Sequence, residues 1–85
     1  MEIRLRYFAA LREMIGMDGE TFTLSDGATI ADARVTLIAR HPAVETVLAR
    51  CVVARNHAFA DDATVLATGD EVVFIPPMAG GSAGE

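Results

Sequence analysis

Charged and apolar residues alternate from the first positions of the chain, with Glu2, Arg4 and Arg6 interleaved with Ile3, Leu5 and Tyr7. A period of two belongs to a strand with one face in the core and the other in water, so the chain opens on a strand. Ala9-Ala10-Leu11-Arg12-Glu13-Met14-Ile15 is a run of helix formers closed by Gly16, the residue that most readily turns left-handed after a last helical turn. It predicts a short helix with Leu11, Met14 and Ile15 facing inward. Thr21-Phe22-Thr23-Leu24 alternates again and stops at the turn cluster Ser25-Asp26-Gly27. This is a second strand, antiparallel to the first across the Ala9 to Gly19 connection.

Thr29-Ile30-Ala31-Asp32 has the form of a capping box with Asp at the third helical position, and it opens a helix that runs to about Arg40 before His41-Pro42 ends it. Ile30, Ala33 and Leu37, with Ile38 and His41 at the margin, fall on one face. Pro42 to Ala49 reads as a connection with room for a short helical turn. Cys51-Val52-Val53-Ala54 is rich in β-formers, and Asn56-His57 is a tight turn into the short strand Ala58-Phe59-Ala60, which Asp61-Asp62 ends. Thr64-Val65-Leu66 reads as a half-buried crossing and Thr68-Gly69-Asp70 as a turn. Glu71-Val72-Val73-Phe74-Ile75 is the final strand.

Strand, strand, helix, strand, short strand, strand is an α+β order in which a main helix covers one face of a mixed sheet of four to five strands. The first and last strands are natural central neighbours. This is the β-grasp, or ubiquitin-like, arrangement, predicted as one domain over residues 1–75 with a C-terminal tail at 76–85. In that tail Pro76 and Pro77 remove two backbone donors, so the last strand leaves the body extended. Met78 and Ala79 then lead to Gly80-Gly81, a segment thin enough to enter a narrow channel in a partner, and to Ser82-Ala83-Gly84-Glu85.

Composition narrows the function. At 85 residues the chain is one domain with one modest core, and 52% hydrophobic beside 22% charged residues is the balance of a folded globule. Twelve acidic against seven basic residues give a net charge of −5, which disfavours nucleic acid and suits a positively charged protein surface. All seven basic residues are arginines, so the chain holds no lysine ammonium for Schiff-base chemistry or side-chain conjugation. Its one cysteine, Cys51, rules out an internal disulfide and suits a reducing compartment. No apolar run approaches a signal peptide or a membrane span, so the cytoplasm is the expected location.

IRLRYFAALREMIG at the start, the Asn56 turn and TGDEVVFIPPMAGG at the end resemble the sulfur-carrier family, in its branch of small subunits of molybdopterin synthase (MoaD). The most specific pieces are Gly69-Asp70-Glu71-Val72, Pro76-Pro77 and Gly80-Gly81. The resemblance implies a carrier whose terminal glycine carboxylate, here that of Gly81, is adenylated with ATP by an E1-like adenylyltransferase and converted by a sulfurtransferase to a thiocarboxylate. It further implies that the tail enters the large synthase subunit and gives its sulfur to a cyclic pyranopterin precursor. Pro76, Pro77, Met78, Ala79 and Gly80 would then contact the partners, and Phe8, Phe59 and Ile75 would form a docking patch, although each could equally belong to the core. The carrier would be the sulfur-donating, non-catalytic subunit of a sulfurtransferase, with no cofactor or metal of its own and with ATP held by the E1-like enzyme. The family ends at the glycine pair, whereas this chain continues to Glu85, so Gly81 needs a processing protease to expose it, unless the four residues are an addition to the native chain or the chain has left the pathway. A thiamine-type sulfur carrier and a ubiquitin-like modifier conjugated through Gly81 share the same features.

Other candidates have plainer readings. Cys51, placed in a valine-rich strand, is a small core residue before it is a sulfur acceptor. His41 and His57 fall short of a metal site, being two ligands without a cluster. Asp61-Asp62 and Asp70-Glu71 are charged turns, of which the second pair is given a modest role towards a basic partner.

Overall fold

A computed structural model of the chain describes residues 1–76. Its elements are β1 (Glu2–Arg6), α1 (Ala9–Ile15), β2 (Gly19–Thr23), α2 (Ile30–Arg40), a 3-10 turn (Pro42–Val44), α3 (Glu45–Leu48), β3 (Val52–Arg55), β4 (Ala58–Ala60) and β5 (Glu71–Ile75). The strands form one sheet in the order β2-β1-β5-β3-β4. β1 and β5 lie parallel at its centre, with Leu5 opposite Val72, and the other neighbours are antiparallel. The predicted β-grasp arrangement is the one that forms.

The period of two in β1 and β5 explains how the sheet is layered. Ile3, Leu5, Val72 and Phe74 point to one face and are fully buried, together with Phe22 of β2 and Val53 of β3. α2 covers that face with Ile30, Ala33 and Leu37, none of them accessible to water, and Leu11, Val44, Leu48 and Leu66 close the periphery. The capping box that opens α2 is complete. The Thr29 backbone N–H donates to Asp32 Oδ2 at 2.8 Å, and the Asp32 N–H donates to Thr29 Oγ1 at 3.4 Å. Arg34 leaves α2 on the side nearest β5. Its Nη1 donates to the Leu48 carbonyl at 2.7 Å, its Nη2 meets Asp62 Oδ1 at 2.9 Å, and its guanidinium lies 5.0 Å from the centre of the Phe74 ring. One arginine thus joins α2, the end of α3, the loop after β4 and β5.

Several sequence expectations are corrected. Met14 does not face the core with Leu11: α1 is only two turns long and rests at the sheet's end, so Met14 is exposed and Ile15 half-buried. The second strand begins at Gly19 and ends at Thr23, two residues earlier than its start was predicted, because β1 continues its ladder down to Arg6 opposite Gly19. Val65 is exposed while Leu66 is buried, and the crossing is a single bridge from Val65 to Thr29 at the start of α2. Cys51 is buried as expected but precedes β3 and is not inside it. The connection after Pro42 does contain helical turns, the 3-10 turn and α3.

Gly19 has a reason to be glycine that its sequence neighbours do not reveal. A Cβ there would overlap the Leu5 carbonyl oxygen across the β1–β2 pair, against backbone that cannot swing aside. Gly19→Ala is expected to destabilise the fold by roughly 1–3 kcal/mol through overpacking. Thermal unfolding followed by circular dichroism should show a Tm lower by about 4 °C or more, and an unchanged Tm would mean that the two strands can part without cost.

Candidate docking face and the root of the C-terminal arm

The same alternation that buries Ile3, Leu5, Val72 and Phe74 turns Arg4, Arg6, Val73 and Ile75 to the other face of the sheet, which no helix among the described residues covers. Over this face lies an open hollow of about 310 Å³. Its apolar wall is Phe8, Phe59, Val73 and Ile75, and its polar wall is Arg6, Glu71 and His57. Phe8 is 45% exposed, Phe59 81% and Ile75 38%, an unusual amount of aromatic and aliphatic surface for so small a body. The three residues proposed from sequence as a docking patch are therefore brought together, from the β1–α1 junction, β4 and the end of β5. Pro76, half-buried, follows Ile75 directly. Pro77, Met78, Ala79, Gly80 and Gly81 lie outside the described residues.

Of the polar wall, Glu71 belongs to a pair expected from sequence to face a partner, whereas Arg6 and His57 were not anticipated. Glu71 lies between the Arg6 guanidinium and the His57 ring, with Arg6 Nη1 at 3.6 Å from one carboxylate oxygen and His57 Nε2 at 3.7 Å from the other. Arg6 also lies 5.4 Å from the centre of the Phe8 ring, so its guanidinium bridges the apolar and charged walls. Exposed pairs of this kind add little to stability, and they leave charges available to a partner. The available signal was the outward phase of Arg6, which places it beside Val73 once β1 and β5 are known to be parallel.

Asp70 is a correction. Asp70-Glu71 was expected to share a modest role towards a partner, but Asp70 turns inward and is 8% exposed. Its Oδ1 accepts from Asn56 Nδ2 at 2.9 Å and its Oδ2 from the Ala67 N–H at 2.9 Å, while the Glu71 N–H donates to Asn56 Oδ1 at 2.9 Å. Asn56 and His57 both have positive φ, 50° and 72°, the backbone of a two-residue hairpin turn. The asparagine thus turns β3 into β4 and, through its carboxamide, also fastens the start of β5. Burial would raise the Asp70 carboxyl, but the bonds from Asn56 and Ala67 and the charge of Arg55 outweigh it and hold the group below its usual range.

A second carboxylate with several partners is that of Glu20, which is half-buried. Tyr7 points into the body and donates its hydroxyl to Glu20 Oε2 at 2.8 Å; His41 Nε2 meets the same oxygen at 2.6 Å, and Arg40 Nη1 meets Oε1 at 3.0 Å. Burial opposes the charge on Glu20, yet its bonds from Tyr7, His41 and Arg40 hold its pKa below the ordinary value. The Tyr7 hydroxyl is held far above its usual range, first by burial and then by Glu20. His41 is therefore engaged as the C-cap of α2 and as a partner of Glu20. Cys51, whose thiol rests against the Val47 carbonyl at 3.4 Å, is pushed up in pKa by burial, with Arg34 opposing, which suits a core residue and not a nucleophile. Among the described residues no group of three or more His, Cys, Asp or Glu side chains is gathered as a metal site.

The sequence pattern of the ThiS family matches residues 5–81, from β1 through the glycine pair. The chain belongs to the ThiS family. Within reach of this family is a molybdopterin synthase sulfur carrier subunit from Chlamydomonas reinhardtii, 43% identical over 83 residues that cover 95% of this chain and all of that protein. The crystal structure of SAMP1 from Haloferax volcanii superposes with a TM-score of 0.87 at 28% identity, covering 94% of this chain and 99% of that one. A putative molybdopterin converting factor subunit 1 from Pyrococcus furiosus superposes with a TM-score of 0.85 at 26% identity, covering 92% and 99%. The hollow of this chain lies where the last strand, β5, leaves the sheet.

Because the native pKa of Asp70 is lowered, the stability it contributes is full at neutral pH and is lost as the pH falls through the ordinary carboxylate range towards the native value. Asp70→Asn, which sets an amide against the Ala67 N–H or breaks the bond to Asn56, should cost about 1–3 kcal/mol at pH 7. The gap from the parent should narrow by about pH 3, where the parent's carboxylate is protonated in the unfolded chain. Urea midpoints at the two pH values test this, and a constant gap would refute the role assigned to the charge.

Proposed function

We propose that this chain is a sulfur carrier, the small subunit of a molybdopterin synthase, acting through the carboxylate of Gly81. The observation that carries the reading is the placement of Phe8, Phe59 and Ile75 around one hollow immediately before Pro76, in a chain 43% identical to a named molybdopterin synthase sulfur carrier subunit. A docking face adjoining the root of an arm is what a carrier needs if the body is to bind while the terminus enters a partner's site. Two prolines stiffen the arm and lower the entropy lost on entry, and Gly80 leaves the approach to Gly81 unhindered.

The chemistry runs in four steps. The Gly81 carbonyl is held in a peptide bond to Ser82, so a protease first adds water across that bond, leaving a carboxylate on Gly81 and an amine on Ser82. A carboxylate is a poor electrophile. An E1-like adenylyltransferase lets one carboxylate oxygen attack the α-phosphorus of ATP, releasing pyrophosphate and leaving a mixed anhydride. Sulfur at the oxidation level of sulfide, supplied by a sulfurtransferase and its reductant, then attacks the acyl carbon, and AMP departs with the bridging oxygen. The product is a thiocarboxylate, a soft nucleophile on a thin arm. In the large synthase subunit that sulfur attacks a carbon of a cyclic pyranopterin precursor, displacing an oxygen substituent there, and water then cleaves the resulting thioester, which returns the carboxylate to Gly81 and leaves the sulfur on the pterin. ATP and the pterin belong to the partners, and this chain supplies the terminus and the docking face. The net charge of −5 favours partners with basic surfaces. No helix among the described residues is long and apolar enough to cross a membrane, and the proposed setting is the cytoplasm.

Two experiments test the reading. Chains ending at Gly81 and at Glu85 are incubated with an E1-like enzyme, ATP and a sulfur source. The first should gain roughly 16 Da, one sulfur in place of one oxygen on the activated acyl group, and the second should not unless a protease is added. Equal gain by both would overturn the role of the extension, and lysine adducts on other proteins in place of a thiocarboxylate would make the chain a modifier. Phe59→Ala should weaken binding to the large subunit by about tenfold or more, as expected for a central aromatic anchor, with Tm nearly unchanged because the ring is exposed. Unaltered binding would remove this face from the interface.

A further inference from the structure

Phe8 stands on the exposed side of the sheet although the residues on either side of it are tightly constrained. Before it, the Tyr7 ring is buried and tied by its hydroxyl to Glu20, itself held by His41 and Arg40, and the Tyr7 N–H donates to the Asp18 carbonyl at 2.8 Å. After it, Ala9 has φ of 50°, in the left-handed region that glycine adopts freely and alanine does not, because its Cβ crowds the backbone there. Beyond Ala9, Leu11 is fully buried and its N–H donates back to the Phe8 carbonyl at 3.1 Å. Ala9 differs in this from the other places where the backbone turns left-handed. Gly16, Gly27 and Gly69 are glycines, and Asn56 and His57 form a hairpin turn of the usual kind. A Cβ at Gly16, Gly27 or Gly69 would meet nothing within 4 Å, so the chain uses glycine where only the backbone asks for it. At Ala9 it keeps a side chain at the cost of strain, next to an aromatic ring that lines the hollow. Strain of this kind persists where the surrounding structure over-determines it, and here Tyr7 on one side and Leu11 on the other do so.

We propose that Ala9 is a positioning residue for docking: its strained left-handed backbone, held between the Tyr7–Glu20 anchor and buried Leu11, fixes the orientation in which Phe8 is offered to the large synthase subunit. The inference rests on the docking role of the hollow given above. Alanine restricts the Phe8–Ala9 link to few conformations, so the ring is already placed when the partner arrives. Glycine would remove the strain and restore freedom to that link, and the freedom would be lost on binding.

The test is Ala9→Gly in the full chain, read by thermal unfolding and by titration against the large subunit. The Tm is expected to be no lower than the parent's, while affinity falls roughly two- to fivefold, the equivalent of the backbone freedom glycine gains. A residue that merely supports the fold would move stability and affinity in the same direction. Phe8→Ala and the double variant Ala9→Gly/Phe8→Ala complete a cycle. Once the ring is gone, the Ala9 substitution should have no further effect on binding. Parent affinity in Ala9→Gly, a lower Tm, or an undiminished loss in the Phe8→Ala background would each overturn the proposal. If Phe8→Ala itself binds like the parent, the docking role of this face fails and the inference falls with it, an outcome distinct from the others.

Discussion

Two strands from opposite ends of the chain lie side by side and parallel at the middle of the sheet, and this pairing governs the rest. Parallel strands cannot be joined by a tight turn, so everything between Arg6 and Glu71 has to serve as the crossover, carrying α1, β2, α2 and the β3–β4 hairpin around the core. The pairing is fastened before the ladder proper begins: the Gly69 N–H donates to the Glu2 carbonyl at 2.8 Å and the Arg4 N–H to the Asp70 carbonyl at 2.9 Å. Because β5 is the central strand, paired with β1 on one side and β3 on the other, the arm that follows Ile75 springs from the most constrained part of the molecule.

That origin accounts for the division of labour in the chain. One face of the sheet is consumed by the core, where Phe22, Phe74, Leu5 and Leu37 lose contact with water altogether. The opposite face carries Arg4, Arg6, Val73 and Ile75, with the hollow beside the end of β5. The alternation of β1 and β5 thus lets the residues of one face change without touching those packed in the core. Polar anchors sit at the seams between these layers. Arg34 joins α2 to β5 and its neighbours, Asn56 and Asp70 fasten the hairpin to β5, and Glu20 gathers Tyr7, Arg40 and His41 beneath the Phe8 junction. Each carboxylate at a seam is bonded by more than one donor, as a buried charge requires.

The residues that most strongly tie this chain to its family fall into two physical groups. Gly69, Asp70 and Asn56 maintain the fold, through a left-handed turn, a buried carboxylate and a hairpin with positive φ at its tip. Pro76, Pro77, Gly80 and Gly81 differ from these in residue chemistry alone: proline has no backbone N–H to give a neighbouring strand, and glycine has no Cβ. Of this second group only Pro76 lies within the described residues, half-buried beside Ile75.

Local periodicity and caps were legible in the residues themselves. The outward phase of Arg4 and Arg6, the capping box at Thr29, the αL stop at Gly16, the Asn56-His57 turn and the boundaries of β5 all follow from preferences that act within a few residues. What sequence could not decide was which distant groups would meet. Met14 faces water because α1 is short and peripheral, Asp70 turns inward because Asn56 awaits it across the hairpin, and Gly19 is required because β1 passes close beside it. Arg6, Glu71 and His57 become one wall of the hollow, and Ala9 is forced left-handed, for the same reason. A period of two assigns a side chain to a face, but the register between strands far apart in sequence assigns its neighbours, and that register is settled by the packing of the whole core.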